Sequence, residues 1–270
     1  MGDTSVEHVE HVPGPRLAPW VQSAVGYRLT GFPAGVHVGM PSGSLTLVIP
    51  LGQRLAVADG SAAPREYGAV LAGLSDAPSF IHHDGTQYGV QLALRPAAPR
   101  ALLGVPASEL AKRSYELADL VGVAAERLRE QVDTAGSWQE RFILVDRMLA
   151  TLLAGAEGQP VASPEVSEAW RVIRRTGGAV PIRRVAAHVG WSMRRLQTRF
   201  HAEFGLAPKA AAVVTRFERS VPLVARGALS LSEIAVLCGW SDHAHMDRDW
   251  RALAGSAPTR WRNEDALVGT

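Results

Sequence analysis

A module with helix-turn-helix spacing occurs twice between Ile182 and Trp261, and this repeat constrains the fold more than any other feature of the sequence. In the first copy a short apolar stripe is followed by Gly190-Trp-Ser192, and 49 residues later a matching stripe is followed by Gly239-Trp-Ser241. Apolar residues at positions i, i+3, i+4 and i+7 form one buried face of a helix. Because a short amphipathic helix, a glycine turn and a second helix make a helix-turn-helix, the repeat predicts two of them.

The ends of the two copies also match, with an offset that grows to 50 residues. An aromatic residue lies five positions before the glycine of each ending, Gly205-Leu-Ala-Pro208 and Gly255-Ser-Ala-Pro258. We therefore expect one extra residue inside the second helix of the second copy. Ser192 and Ser241 are expected to cap these second helices, because a serine hydroxyl accepts hydrogen bonds from the unpaired N–H groups of a helix start.

Two further stretches complete a pattern that resembles the DNA-binding domain of AraC-type transcription regulators. Arg216-Phe-Glu-Arg219 lies between the modules, and the second module carries the run Gly-Trp-Ser-Asp-His-Ala-His-Met-Asp-Arg-Asp-Trp, which ends at Trp250. The resemblance covers about the last hundred residues. It implies a sequence-specific DNA-binding transcription regulator that reads two successive major grooves. The implied partners are double-stranded DNA, a small-molecule effector, a second copy of the chain in a homodimer, and RNA polymerase.

Positive charge is concentrated in the repeated region. Residues 165–262 contain 16 Lys and Arg against 8 Asp and Glu, whereas the rest of the chain contains 12 against 18. A surface that meets DNA phosphates needs such a positive balance. The charge alone also fits a solvated, arginine-rich surface, and a protein that binds DNA without strong sequence preference is an alternative function.

The N-terminal half alternates between apolar and polar side chains, which is typical of strands with one buried face. The alternation is clearest in residues 44–50 and 88–95, and turn clusters such as Asp84-Gly85 separate the strands. Residues 1–15 show little periodicity and are expected to form a loose leader. We therefore expect an α+β protein with an N-terminal β-rich barrel or sandwich and an all-α C-terminal domain. The resemblance implies that the β-rich part is a cupin-like sensor domain.

A helical period begins near residue 99 and continues to residue 154. Helices are expected at 101–104, 108–121, 123–132 and 138–154. The last of them carries an apolar stripe that includes Phe142, Val145 and Leu149. Such a stripe must be covered, either by its own domain or by its copy in a second subunit.

The chain therefore divides into three parts. Residues 1–154 form the β-rich sensor or dimerisation domain with its C-terminal helices, residues 155–164 form a linker rich in Gly, Ala and Pro, and residues 165–263 form the double helix-turn-helix domain. Pro222 lies inside the helix expected to connect the two modules. An interior proline removes a backbone hydrogen bond at a cost of about 3 kcal/mol, so we expect a kink or an early helix end there.

The first recognition helix is expected over residues 192–204. Its inward stripe comprises Met193, Leu196, Phe200 and Phe204, and its outward face carries Arg194, Arg195, Gln197, Thr198 and Arg199. The resemblance implies that Arg194, Gln197 and Thr198 reach base edges; arginine pairs well with guanine and glutamine with adenine. Arg195 and Arg199 suit phosphate contacts, which position a protein without reading sequence.

The second recognition helix is expected over residues 242–254. Its predicted outward face carries His243, Ala244, Asp247, Arg248 and Arg251. Ala244 suits a thymine methyl group, and the resemblance implies a base or backbone contact for Arg248. Asp247 and Asp249 flank that arginine, and carboxylates near phosphate are repulsive. Asp247 either accepts a hydrogen bond from cytosine N4 or holds Arg248 in place. We therefore expect the first module to dominate specificity.

Other chemistry finds little support in the sequence. Cys238 falls on an apolar stripe and is expected to fill the core, and His37, His82 and His83 lack a carboxylate at metal-site spacing. No catalytic or phosphate-binding motif is present, so we expect neither an enzyme nor a cofactor. A metal-binding barrel enzyme with an accessory helical domain is the remaining alternative. A single cysteine and the absence of a long apolar run favour a cytoplasmic location away from the membrane.

Overall fold

The computed structural model describes residues 4–156, 158 and 162–264. The chain forms two compact units. The N-terminal unit comprises residues 1–37, 44–73 and 80–161, and the C-terminal unit comprises residues 162–270 with the short segments 38–43 and 74–79. Of the predicted linker, residues 157 and 159–161 lie outside the described residues. No helix in the described ranges is long and apolar enough to cross a membrane.

The described residues form ten strands in two sheets. The strands are β1 Ser5–His11, β2 Val21–Thr30, β3 Gly35–Gly39, β4 Leu45–Pro50, β5 Leu55–Asp59, β6 Arg65–Tyr67, β7 Val70–Ala72, β8 Ser79–His83, β9 Gln87–Leu94 and β10 Ser114–Glu116. One sheet has the order β1-β2-β9-β4-β7-β10 and the other the order β3-β8-β5-β6.

The two strands with the clearest alternation lie next to each other in the larger sheet. β4 and β9 pair antiparallel, with Leu47 opposite Leu92 and Ile49 opposite Val90. These four side chains are at most 1% exposed. Alternating apolar residues thus place one face of the sheet in the core, as the pattern in 44–50 and 88–95 predicts.

Two expectations for this half are wrong. Of the predicted loose leader 1–15, residues 1–3 lie outside the described residues, and the rest is not loose, because Ser5–His11 forms β1 and pairs antiparallel with β2 along its whole length. Residues 108–121 are not wholly helical, because Ser114–Glu116 forms β10 and pairs with β7. The carboxylate of Asp59 accepts hydrogen bonds from the Ser114 N–H and hydroxyl and helps to fix this short strand.

The described α-helices of the N-terminal unit all come after β9. They are α1 Ala98–Leu103, α2 Leu117–Val121, α3 Val123–Thr134 and α4 Trp138–Gly155. Much of the predicted stripe of α4 is covered by its own unit: Phe142, Val145 and Leu149 are at most 2% exposed, whereas Leu152 and Leu153 are half-buried. The indole of Trp138 lies against the backbone of β2 at Gly26, where a Cβ would come 2.3 Å from the ring. Glycine at position 26 therefore allows α4 to pack closely on the sheet.

The C-terminal unit contains seven described helices. They are α5 Pro164–Arg175, α6 Ile182–His188, α7 Met193–Phe204, α8 Pro208–Arg226, α9 Leu231–Cys238, α10 His243–Ala254 and α11 Pro258–Glu264. Around α7, Trp170 of α5 packs its ring on Phe200 and Phe204. Around α10, Trp250 packs against Phe217 of α8 and Trp261 of α11. Each module therefore has its own aromatic core.

Pro222 does not end the connector. α8 continues past it to Arg226 and stops at Gly227, which has the left-handed conformation usual after a helix. Pro222 is exposed, whereas Ser220 and Val224 on either side are at most 1% exposed and pack in the second module. Packing of these neighbours outweighs the one hydrogen bond that the proline cannot make, so the prediction of an early helix end is wrong.

Candidate nucleic-acid interface

The two modules make the same turn between their helices. The N–H of Trp191 donates to the carbonyl of Ala186, and that of Trp240 donates to the carbonyl of Ala235, each at 2.9 Å. The glycine before each tryptophan has a positive φ, 69° in the first module and 90° in the second. Only glycine adopts such angles without strain, which explains why both turns contain one.

The starts of the two recognition helices differ. In the first module the Ser192 hydroxyl accepts a hydrogen bond from the Arg195 N–H, as predicted. In the second the cap is Asp242, whose carboxylate accepts from the His245 N–H at 2.7 Å, so the prediction of Ser241 as the cap is wrong. That hydrogen bond also lowers the pKa of Asp242.

The extra residue of the second copy lies in the turn and not inside the helix. α7 and α10 are both 12 residues long and both end at a left-handed glycine. Because Asp242 takes the role of Ser192, Ser241 is the inserted residue. Its hydroxyl lies 2.9 Å from an Asp242 carboxylate oxygen.

The predicted DNA-contacting side chains of the first module share one exposed surface. Arg194, Arg195, Gln197, Thr198 and Arg199 are all exposed on α7. Leu196, Phe200 and Phe204 point inward, but Met193 is 39% exposed, so its place in the inward stripe is wrong. Met193 is the first residue of the helix, where the chain has only begun to enter the packed core.

The corresponding surface of the second module is less basic. His243, Ala244, Arg248 and Arg251 are exposed on α10, and Asp247 is half-buried. Asp247 pairs with Arg251 at 2.6 Å. Asp249 accepts a hydrogen bond from the Trp240 indole N–H at 2.7 Å. The Asp247 carboxylate thus offsets the charge of Arg251, and the Asp249 carboxylate is hydrogen-bonded to the tryptophan of the turn.

Tryptophans of the two turns also carry guanidinium groups, which the sequence pattern did not reveal. The Arg195 guanidinium carbon lies 4.9 Å from the centre of the Trp191 ring. Arg216 of α8 lies over Trp240 at 5.8 Å and donates to the Gly239 carbonyl. Burial lowers the pKa of Arg216. Because its guanidinium lies over the Trp191 ring, Arg195 is held at the start of α7 while it remains exposed.

A separate open cavity lies in the N-terminal unit. Its volume is about 390 Å³, and its lining holds Arg54, His82 and His83 together with the acidic side chain of Asp84. The Gln53 amide donates to the Thr86 carbonyl along its wall. Arg54 is already paired with Glu116 at 3.0 Å. The lining is therefore polar and contains both basic and acidic side chains.

In the described ranges no group of three or more His, Cys, Asp or Glu side chains comes together to hold a metal ion. Cys238 is fully buried in the core of the second module, as its position in the repeat predicts. Burial raises the pKa of its thiol, which keeps the group protonated.

Comparisons with known proteins match different parts of the chain. Residues 185–264 match the family described as helix-turn-helix domain. The transcriptional activator NphR of Rhodococcus sp is 28% identical over 130 residues, which are 46% of this chain and 38% of that protein. The chain therefore spans well under half the length of this relative.

The fold as a whole resembles that of ToxT from Vibrio cholerae. The TM-score is 0.53 at 12% sequence identity, and the match covers 90% of this chain and 98% of ToxT. This likeness confirms the predicted fold class, a β-rich N-terminal part followed by an all-α part. The matched family and the repeated turns agree with the resemblance seen in the sequence: residues 185–264 form a helix-turn-helix domain of the kind found in AraC-type regulators.

Proposed function

We propose that this chain is a sequence-specific DNA-binding transcription regulator in which α7 and α10 enter successive major grooves. The observation that carries the proposal is the exposed surface of α7. Three arginines, a glutamine and a threonine lie there on one helix of a helix-turn-helix, in the more basic part of the chain. Two recognition helices on one face of a duplex must lie about 34 Å apart, one helical turn of DNA.

The side chains take different roles in this proposal. Arg194, Gln197 and Thr198 read base edges, and Arg195 and Arg199 bind phosphates. In the second module Ala244 and Arg248 make the equivalent contacts, with His243, Asp247 and Arg251 beside them. Specificity rests mainly on the first module, because the Asp247–Arg251 pair removes positive charge from the surface of α10.

Selection of bound sites from a randomised DNA library tests the proposal. A bidentate base contact is worth about 1–3 kcal/mol, so Arg194→Ala and Gln197→Ala are each expected to relax selectivity at one or two base pairs. Arg248→Ala is expected to relax it less. Arg226→Ala removes the same charge from an exposed position outside both recognition helices and serves as the control.

Three results would each overturn part of the proposal. A protein that selects no sequence from the library, and prefers its best site over unrelated DNA by less than about 10³-fold, is a non-specific binder. A loss of selectivity that is larger for Arg248→Ala than for both first-module variants would assign the dominant role to α10. If the affinity for DNA stays constant between about 50 and 200 mM salt, contacts with phosphates are not the main contribution to the binding free energy.

We also propose that a small carboxylate effector binds in the N-terminal unit, at the cavity beside Arg54, His82 and His83. Structures of ToxT hold an unsaturated fatty acid in one case and (E)-4-(8-methylnaphthalen-1-yl)but-3-enoic acid in another. Basic groups around an open cavity provide a place for a carboxylate in this chain. A thermal shift with an unsaturated fatty acid, absent with its methyl ester and reduced in His83→Ala, is expected. Equal shifts with acid and ester would refute a carboxylate site.

A homodimer completes the proposal, and contact with RNA polymerase stays a prediction. Because Phe142, Val145 and Leu149 of α4 are buried within its own unit, they are not available to a second copy. We therefore place the pairing of two chains on another surface of the N-terminal unit.

A further inference from the structure

Strand β1 has an edge that can accept another strand. It is the terminal strand of the larger sheet, and its described backbone pairing is with β2. It is seven residues long, compared with three for β10 at the opposite end. The outer edge of a terminal strand presents a row of N–H and C=O groups that can pair with a further strand.

The two faces of β1 differ in what they contact. On one face the Glu7 carboxylate accepts a hydrogen bond from the Trp138 indole, and the His11 ring bonds to Asp146 at 3.0 Å, both on α4. Since side chains alternate along a strand, His8 and Glu10 lie on the opposite face. Val6 lies on that face and is 52% exposed; Val12 directly follows the strand, reaches the same face if the alternation is extended by one residue, and is 87% exposed.

The sequence of β1 is complementary to itself in one antiparallel register. A two-fold axis at Val9 places His8 opposite Glu10 of the second copy and Val6 opposite Val12. Moving the axis to His8 pairs His8 with itself and Val6 with Glu10. Moving it to Glu10 places two carboxylates opposite each other. Directly opposed unlike charges and branched apolar pairs stabilise a sheet, and like charges destabilise it.

We propose that two copies of the chain pair through β1, antiparallel and in register about Val9, so that their larger sheets become one continuous sheet. This inference rests on the homodimer proposed above and is independent of DNA binding. The occupant of the edge is a second copy because the complementarity is to the strand's own sequence. On the outer face, which is the face of β1 that points away from α4, this pairing forms two His–Glu pairs. It also brings Val6 and Val12 of each copy into contact with those of the other.

Charge exchange on the outer face tests the register in the full chain without DNA. His8→Glu puts two carboxylates opposite each other, and Glu10→His removes the carboxylate opposite His8, so each variant alone is expected to dimerise at least about 10-fold more weakly, since symmetry doubles every pair. An equimolar mixture of the two variants restores complementary pairs, as does the double variant. Sedimentation velocity over a concentration series measures all four.

Cross-linking reports the position of the axis directly. A residue on a two-fold axis faces its own copy at a Cα separation of about 4.5–5.5 Å, which a disulfide can bridge. Val9→Cys is therefore expected to form a covalent dimer under mild oxidation, whereas His8→Cys and Glu10→Cys, one residue from the axis on either side, do not. The native Cys238 is buried and provides no competing thiol.

The outcomes separate the two proposals. Dimers that survive every charge exchange, with no cross-link at position 9, would overturn β1 pairing and leave the homodimer in place. A monomer at all concentrations would overturn both and leave the DNA-binding proposal untouched. Efficient cross-linking at position 8 or 10 in place of 9 would refute the register. Loss in both single variants, with recovery in their mixture, supports it.

Discussion

The hydroxyl of Ser220 is expected to hold the second module together. Ser220 and Trp250 are both fully buried. The hydroxyl donates to the Phe217 carbonyl at 2.7 Å and accepts a hydrogen bond from the Trp250 indole N–H at 2.9 Å. It therefore joins the connector α8 to the recognition helix α10. Ser220→Ala removes the acceptor and leaves a buried N–H without a partner.

The size of this effect follows from the burial of the indole. A buried donor that loses its acceptor costs about 1–3 kcal/mol, which corresponds to about 5- to 150-fold in an equilibrium constant. Ser220→Ala should therefore speed hydrogen exchange of the protected α10 amides by about that factor. Peptides from the N-terminal unit report on whether the effect stays in the second module. Exchange in the full chain, followed by mass spectrometry, measures both regions.

Thr215→Val provides a matched control on the same helix. Thr215 is also buried, but its hydroxyl donates to the Ala211 carbonyl of its own helix, so removing it leaves no donor unpaired. In a Trp250→Phe background, Ser220→Ala should cost less than about 1 kcal/mol, since the donor is gone. If Ser220→Ala exchanges as slowly as the unmodified chain, or Thr215→Val costs as much, the hydrogen bond does not have the role assigned to it.

Three further outcomes are expected. Gly26→Ala, whose Cβ would meet the Trp138 ring, should destabilise the N-terminal unit by about 1–3 kcal/mol in thermal unfolding, whereas Gly14→Ala, with open space around it, should stay within about 0.5 kcal/mol. The hydrogen bond with His188 is the main cause of the lowered pKa of Glu168. A carboxylate with a lowered pKa stabilises the fold at pH values above its pKa in the unfolded chain, and this stability is lost as the pH falls. Glu168→Gln should therefore flatten the acid side of the curve of stability against pH, below about pH 4.5. Cys238 should react with iodoacetamide in denaturant but not in the native chain, as mass spectrometry would show.

The repeat made the C-terminal helices predictable. Two independent copies gave the same apolar stripe, glycine turn and ending, so each copy checked the other. The exposure of Arg194 and Gln197 follows directly from helical periodicity once Leu196 and Phe200 are placed inside. Pairing between side chains was not predictable in this way, because a spacing of four residues also permits the Asp247–Arg251 pair without requiring it.

The N-terminal strand was missed because its pattern has no period of two. Valines stand at positions 6, 9 and 12, three residues apart, so no face of Ser5–His11 is wholly apolar. The strand exists because its backbone pairs with β2, a non-local interaction that leaves little trace in local composition. Pro222 shows the converse. Its local sequence predicts a helix end, but the helix continues because Ser220 and Val224 on either side are packed in the core.

The insertion at Ser241 leads to a last prediction about how the two modules differ. Aligned on Gly-Trp-Ser, Ser241 matches Ser192, yet the structure gives the cap to Asp242. Asp242→Ala should therefore fray the first turn of α10 more than Ser241→Ala does, measured as the loss of exchange protection at the His245 amide. Asp242→Ser keeps an acceptor at the cap but removes a negative charge from the start of a helix that is proposed to face phosphates. It should preserve protection at His245 and strengthen DNA binding, with a steeper dependence of affinity on salt. Greater fraying in Ser241→Ala would return the cap to Ser241 and place the extra residue inside α10. Weaker DNA binding by a well-folded Asp242→Ser protein would show instead that the carboxylate itself contacts the DNA, as an acceptor from cytosine would.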